Sequence, residues 1–175
     1  HDQTRRQRQM CIRDRLKGEL VQNLRYGENP HQSGAIYSFD RSKTLIQLNG
    51  KHLSYNNYND IFYGLEISKS LPKKIGTVII KHANPCGVSA EKDQIISFQK
   101  AFECDPISAY GGVVICNYKL DINTAKKLND KFFEVIVAEG FKGNALKLLK
   151  NKKNLRLIDS TNINLQSNLS FQSVL

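Results

Sequence analysis

Four short apolar runs constrain this 175-residue chain more than anything else in it: Ile75 to Ile80, Val113 to Cys116, Val135 to Ala138 and Leu155 to Ile158. All four read as strands, and Ile75 to Ile80 and Val113 to Cys116 have the branched, unalternating pattern of a strand buried on both faces. Helical patterns separate them. One runs through Ile61, Leu65, Ile67 and Leu71 until Pro72 stops it, and an amphipathic one covers Asp93 to Cys104. Asn123 can cap a third that reaches about Phe133, and a Lys-rich fourth spans Asn144 to Lys150. Upstream, Ala35 to Phe39 alternates like a strand, and Thr44 to Leu48 is a second one ending at Asn49-Gly50. The order βαβαβαβαβ predicts an α/β fold, a mostly parallel sheet sandwiched by helices. With 40% hydrophobic residues the chain can bury a core of that kind.

The net charge of +10 admits an anionic partner, but it does not distinguish nucleic acid from phosphates or folate glutamates. Part of it sits in residues 1–15, which hold five Arg and two Asp, a contribution of +3 that leaves +7 for the rest. That opening stretch has no apolar period and no turn chemistry, so residues 1–15 are expected to be a non-native or disordered extension, with a native basic arm as the alternative. Residues 16–160 are expected to be the ordered subdomain. The Ser-, Asn- and Gln-rich 161–175 reads as a linker or truncated edge segment. The four cysteines, Cys11, Cys86, Cys104 and Cys116, have no C-x-x-C spacing, so reduced thiols in a cytosolic protein are expected. No apolar stretch reaches the roughly 18 residues of a membrane span.

The densest reactive patch is Lys81-His82 with Asn84, delivered by the end of a buried strand into Pro85-Cys86-Gly87. A Lys beside a His can offer a cation for developing negative charge together with a base titrating near neutrality. A structural His at a sheet edge fits the spacing equally well. HANPCG also echoes the H-x-E, P-C-x-x-C signature of zinc nucleobase deaminases. Position 84, however, is Asn where the proton-shuttling Glu should stand, and no second Cys follows at the required spacing. His82 and Cys86 are too few ligands, so no metal is expected.

Arg25 and Tyr26, entering the loop RYGENPHQ, have the chemistry to grip a phosphate, although an Arg-Tyr pair at a loop is commonly a surface contact. In DPISAYGG, Gly111 and Gly112 would let backbone approach a ligand, or simply turn the chain. The Tyr and Asn residues of SYNNYND suit either helix capping or stacking on a base. Glu134 opens a strand, where it could accept hydrogen bonds from a substrate amine or hydroxyl, although a lone Glu at a strand end is usually solvated and only the resemblance given next singles it out.

Taken together, LRYGENPHQ, GKHLSYNNYND, KHANPCGV, CDPISAYGGVV and EVIVAEGF followed by KKNLRL resemble, in order and spacing, the bifunctional purine-biosynthesis family that joins AICAR formyltransferase to IMP cyclohydrolase. The resemblance covers about Leu20 to Ile158. It implies a cytidine-deaminase-like three-layer α/β/α sandwich, the first subdomain of the transformylase. It also implies transfer of a formyl group from 10-formyltetrahydrofolate, a co-substrate, to AICAR (5-aminoimidazole-4-carboxamide ribonucleotide). In that scheme His82 is the proton acceptor and Lys81 stabilises the charged transition state. Arg25 and Tyr26 would hold the nucleotide, with Gly111, Glu134 and Asn84 lining its pocket. A homodimer in the cytosol, with neither nucleic acid nor membrane as partner, is the family expectation. The cyclohydrolase domain that normally precedes LRYG and the second transformylase subdomain are not in these residues, so the piece alone is expected to be inactive. Two other readings stay open, a nucleotide- or RNA-binding module and a zinc deaminase.

Overall fold

The computed structural model describes residues 17–163 apart from Arg41 and Lys43. The expectations for residues 1–15, and for 161–175 beyond Ile163, therefore lie outside the described residues. Within them the chain runs β1 (Glu19–Leu24), β2 (Gly34–Ser38), β3 (Ile46–Asn49), α1 (Tyr55–Lys69), β4 (Gly76–Lys81) and β5 (Asn84–Ala90). It continues with α2 (Gln94–Glu103), β6 (Val113–Cys116), α3 (Ile122–Asn129), β7 (Val135–Ala138), α4 (Gly143–Lys150) and β8 (Arg156–Asp159).

β1 and β2 pair as an antiparallel hairpin, and the other six strands form one sheet in the order β3-β8-β7-β6-β4-β5. Side chains alternate strictly across that sheet. Ile79, Val114, Cys116, Ile136, Ala138 and Leu157 face a core shared with α2, α3 and α4. Val78, Ile80, Val113, Ile115, Val135, Val137 and Ile158 face the opposite core, closed by α1 through Tyr58, Ile61 and Leu65. The result is the expected three-layer α/β sandwich. Apolar runs with no polar alternation are what such strands require, because each buried aliphatic side chain contributes about 1.5–3 kcal/mol whichever face it points to.

The sheet itself is mixed rather than mostly parallel. β6, β7 and β8 are parallel, whereas β4 is antiparallel to both β6 and β5, and β3 is antiparallel to β8. Two features account for the difference. β5, a segment given no element in the sequence reading, is an outer strand of the sheet, where proline is tolerated. β4 also folds straight back into it through His82 and Ala83 instead of crossing over by a helix. The third predicted helix starts earlier and ends earlier than expected: Asp121, not Asn123, is its cap, accepting from the Thr124 amide at 2.8 Å, and it stops at Asn129. No helix among the described residues is long and apolar enough to cross a membrane.

Candidate functional site

Because β4 runs against β6, the end of the sheet that carries Lys81 is the C-terminal end of β4 but the N-terminal end of β6, β7 and β8. Register then places Lys81, Gly112 and Glu134 along one rim, since Ile80 faces Val113 and Val113 faces Val135. Backbone hydrogen bonds stitch this rim together, from the Glu134 amide to the Gly112 carbonyl at 3.1 Å and from the Arg156 amide to the Glu134 carbonyl at 3.1 Å. Lys81 and His82 thus stand at the C-terminal end of β4, as the sequence suggested, but β6, β7 and β8 present their N-terminal ends there, so the rim is not that of a parallel sheet.

His82 and Ala83 form the two-residue turn between β4 and β5, with φ of +53° and +60°. Positive φ at both central residues is the type I′ form of a two-residue hairpin, for which Asn-Gly is the usual solution. Here neither residue is glycine, and the left-handed region costs roughly 1–2 kcal/mol for such residues. Strained backbone of this kind clusters at functional sites. Lys81, the last residue of β4, donates from Nζ to the Tyr110 carbonyl at 2.8 Å, which ties it to the loop that carries Gly111. Asn84, across the turn, donates from Nδ2 to the His82 carbonyl at 2.9 Å.

Gly111 has φ of +73°, and its amide donates to the Phe132 carbonyl at 2.9 Å, so glycine is needed there for the turn itself. Glu134 is partly exposed and doubly held: its Oε2 accepts from Asn57 Nδ2 at 3.2 Å and lies 3.6 Å from an Arg156 guanidinium nitrogen. Arg156 reaches in turn into a cleft of about 430 Å³ that it lines with Gln22, Arg25, Tyr26, Lys51 and His52 among others. Arg25, Lys51 and Arg156 bring three cations to that cleft and, among the described residues, no carboxylate lines it, an arrangement suited to a phosphate-sized anion. Arg25 also lies 6.0 Å from the Tyr26 ring centroid. The structure therefore brings Arg25 and Tyr26 to Arg156, and through it to Glu134. Lys81, His82, Asn84 and Gly111 do not line that cleft.

Helix α1 connects the two groups. Ser54 caps it in a reciprocal capping box with Asn57, whose side chain accepts from the Ser54 amide at 3.1 Å while its amide donates to Ser54 Oγ at 3.2 Å. Capping, one of the two readings of SYNNYND, is thus realised. Tyr58 is buried, and its hydroxyl contacts Gln22 at 3.2 Å, so its ring is not available for stacking on a base. Asn57 also holds Glu134, and three residues further along the same helix face Asp60 accepts from the Ala83 amide at 2.7 Å. Burial raises the Asp60 pKa, while the Ala83 amide and the His82 charge pull it down. Asp60 and Arg156 were not read as site residues from sequence, and Asn57 was one of the SYNNYND residues read as caps or as partners of a base. Asn57 carried a signal, since a buried side-chain amide at a capping position can serve two partners. Asp60 and Arg156 carried none without knowledge of what they face.

Cys86 does not have the environment of a nucleophile: burial, followed by the Asp105 charge, raises its thiol pKa, so the thiolate is disfavoured. Cys86, Cys104 and Cys116 are free thiols. Among the described residues no group of three or more His, Cys, Asp or Glu side chains is placed to hold a metal ion.

Fold and site together define an α/β sandwich with a cationic cleft and, reached from it along α1, a Lys-His turn at one end of its sheet. The particular family follows from comparison: residues 2–175 match the model described as AICARFT/IMPCHase bienzyme, and the chain belongs to that family. It is 44% identical over 157 residues to a bifunctional purine biosynthesis protein PurH of Oceanobacillus iheyensis, covering 86% of this chain and 31% of that protein. It is 45% identical over 149 residues to a protein of the same description from Clostridioides difficile, and 46% identical over 145 residues to one from Halalkalibacterium halodurans. The chain spans about three-tenths of the length of these relatives.

Proposed function

We propose that this chain is part of an AICAR formyltransferase of purine biosynthesis, in which the sheet end described above binds the nucleotide and carries the proton-transfer group. The observation that supports it most is that one helix, α1, reaches both parts of the site: Asn57 binds Glu134, which meets Arg156 of the cleft it shares with Arg25 and Tyr26, and Asp60 three residues on binds the Ala83 amide of the His82 turn. The nucleotide phosphate would sit among the cleft cations, and Glu134 would accept from a ribose hydroxyl or ring substituent. The 5-amino group of AICAR attacks the formyl carbon of 10-formyltetrahydrofolate. As the new C–N bond forms, His82 accepts the amine proton and Lys81 faces the developing oxyanion. Collapse breaks the bond to N10 of the folate, which leaves as tetrahydrofolate after protonation. An aryl amine conjugated to a carboxamide is a poor nucleophile, so base and cation are each expected to supply about 10² to 10⁴ in rate. Tyr110 and Phe132, both exposed with ring centroids 5.0 Å apart beside Gly111, present the kind of surface an aromatic co-substrate stacks against. No metal is needed for these steps. A homodimer in the cytosol, acting on small molecules rather than nucleic acid or membrane, completes the proposal.

The test is formyl transfer from 10-formyltetrahydrofolate to AICAR by the full-length protein, compared with His82→Ala. The variant should lose about 10² to 10⁴ in kcat. A folded but inactive parent, or a variant within threefold of it, would refute the assignment.

A further inference from the structure

We propose that Asp60 is the positioning residue of this site: its carboxylate holds the His82–Ala83 turn in its left-handed conformation and so fixes where the candidate base projects. The role of the turn as carrier of that base rests on the formyltransferase reading, but the clamp itself does not.

The geometry has three parts. First, the turn has a conformational cost and no glycine to remove it, because both His82 and Ala83 sit at positive φ. Second, the tight turn directs its own amides out of the β4–β5 ladder, whose pairing resumes at Lys81 and Asn84. The Ala83 amide is taken up by Asp60 Oδ1 at 2.7 Å, and the His82 amide contributes a smaller share. A hydrogen bond to an ionised acceptor is shorter and about twice as strong as a neutral one, so a carboxylate is well suited to offset backbone strain. Third, the clamp is anchored on a packed element. Asp60 precedes Ile61, which is fully buried against the sheet, and α1 is fixed at its start by the Ser54–Asn57 capping box. The Asn84 side chain closes the turn from the other side through the His82 carbonyl. His82 is thereby held by its backbone on both flanks while its side chain remains exposed. The other charged or titratable groups that act on Asp60 and its neighbour Cys86 are Glu134, Lys81 and Asp105.

A carboxylate beside a histidine has a second conceivable role, acting on the imidazole through its charge. Three variants of the full-length protein separate the two. Asp60→Ala removes the acceptor. Asp60→Asn keeps a neutral acceptor oxygen at the same reach but no charge. Ala83→Gly removes the strain at the second of the two turn residues, whose amide Asp60 holds. If Asp60 is a backbone clamp, Asp60→Ala raises hydrogen exchange in the 81–86 segment at least about tenfold while the β6 and β7 amides keep their protection. It lowers kcat for formyl transfer about 10- to 100-fold with the KM for AICAR within about threefold, as expected when a reacting group is misplaced without loss of substrate binding. Asp60→Asn stays within a few-fold of the parent on both readouts, and Ala83→Gly in the Asp60→Ala background restores most of the loss.

Unchanged exchange in Asp60→Ala overturns the proposal. So does an Asp60→Asn variant as impaired as Asp60→Ala with no rescue by glycine, which assigns the effect to charge. If Asp60→Ala does not fold, the Asp60→Ala/Ala83→Gly pair decides: a folded double variant supports the clamp and an unfolded one refutes it. Exchange is read independently of activity. A turn that loosens in a protein lacking formyl transfer keeps the clamp and removes only the reaction.

Discussion

Replacing Gly87 by alanine should be among the most damaging single-methyl additions in this chain. A Cβ built there lies 1.8 Å from the Ala101 carbonyl oxygen, 2.8 Å from its carbon and 3.0 Å from Cys104 Cβ. Two of these three are backbone atoms of α2, which cannot rotate away, and α2 is pinned by Ser97, Phe98 and Ala101, all buried. To regain ordinary van der Waals separation β5 and α2 would have to part by roughly 1.5 Å, and overpacking of this kind costs up to about 3 kcal/mol. For a fold whose total stability is on the order of 5–15 kcal/mol, that is a large fraction. Gly143 is the internal control. It opens α4, nothing lies within 4 Å of its added Cβ, and alanine there should stabilise by about 0.4–1 kcal/mol by restricting the unfolded chain. With urea m-values of about 1–3 kcal/mol per molar, the midpoint should fall by about 1–3 M for Gly87→Ala and rise slightly for Gly143→Ala. A Gly87→Ala midpoint within about 0.3 M of the parent would mean that strand and helix do not approach as closely as described, and the reasoning would fail.

Other perturbations have signs that are equally fixed. Arg25→Gln should weaken AICAR binding by calorimetry about 10- to 100-fold, the loss of a charged hydrogen bond to phosphate, and a change under threefold would remove Arg25 from the nucleotide cleft. Thr77→Val should cost about 1–3 kcal/mol in urea unfolding, because the buried Thr77 Oγ1 bonds Tyr118 at 2.8 Å and Ser97 at 2.9 Å and its loss leaves both hydroxyls short of a partner. Burial pushes the Cys116 thiol from an ordinary 9.0 up to about 12. Above pH 9 the unfolded chain therefore releases a proton that the folded chain retains. Stability from this group is fully present below pH 9 and falls by up to about 1.4 kcal/mol per pH unit as pH rises toward 12. Cys116→Ala should flatten that alkaline slope, measured as the urea midpoint between pH 8 and 10.5.

The elements legible in the sequence are those whose burial is decided by their own residues. Val113 to Cys116 and Val135 to Ala138 can only be strands with two covered faces, and the structure places them at the predicted bounds. β5 was missed for the opposite reason. Its residues, Asn84 to Ala90, have no strand character of their own, and what makes them a strand is the edge of β4 and the approach of α2 over Gly87. With β5 unseen, the chain had to be read as crossing over after Ile80, which forced a mostly parallel sheet.

The same division runs through the site. Lys81 and His82, and more weakly Arg25 and Tyr26, could be singled out because their residue types carry chemistry wherever they stand, whereas Glu134 was singled out only by the family resemblance. Asp60, Asn57 and Arg156 are equally charged or polar, but their significance lies in what they hold: the Ala83 amide, the Glu134 carboxylate, the rim of the cleft. The His-Ala turn shows why such partners matter. Local sequence would place Asn-Gly in a two-residue hairpin loop, and a chain that departs from that preference must compensate from elsewhere in the fold. A departure from local preference at a residue already suspected of chemistry therefore predicts a distant partner. In this chain the search for one leads from His82 to α1 and ends at Asp60.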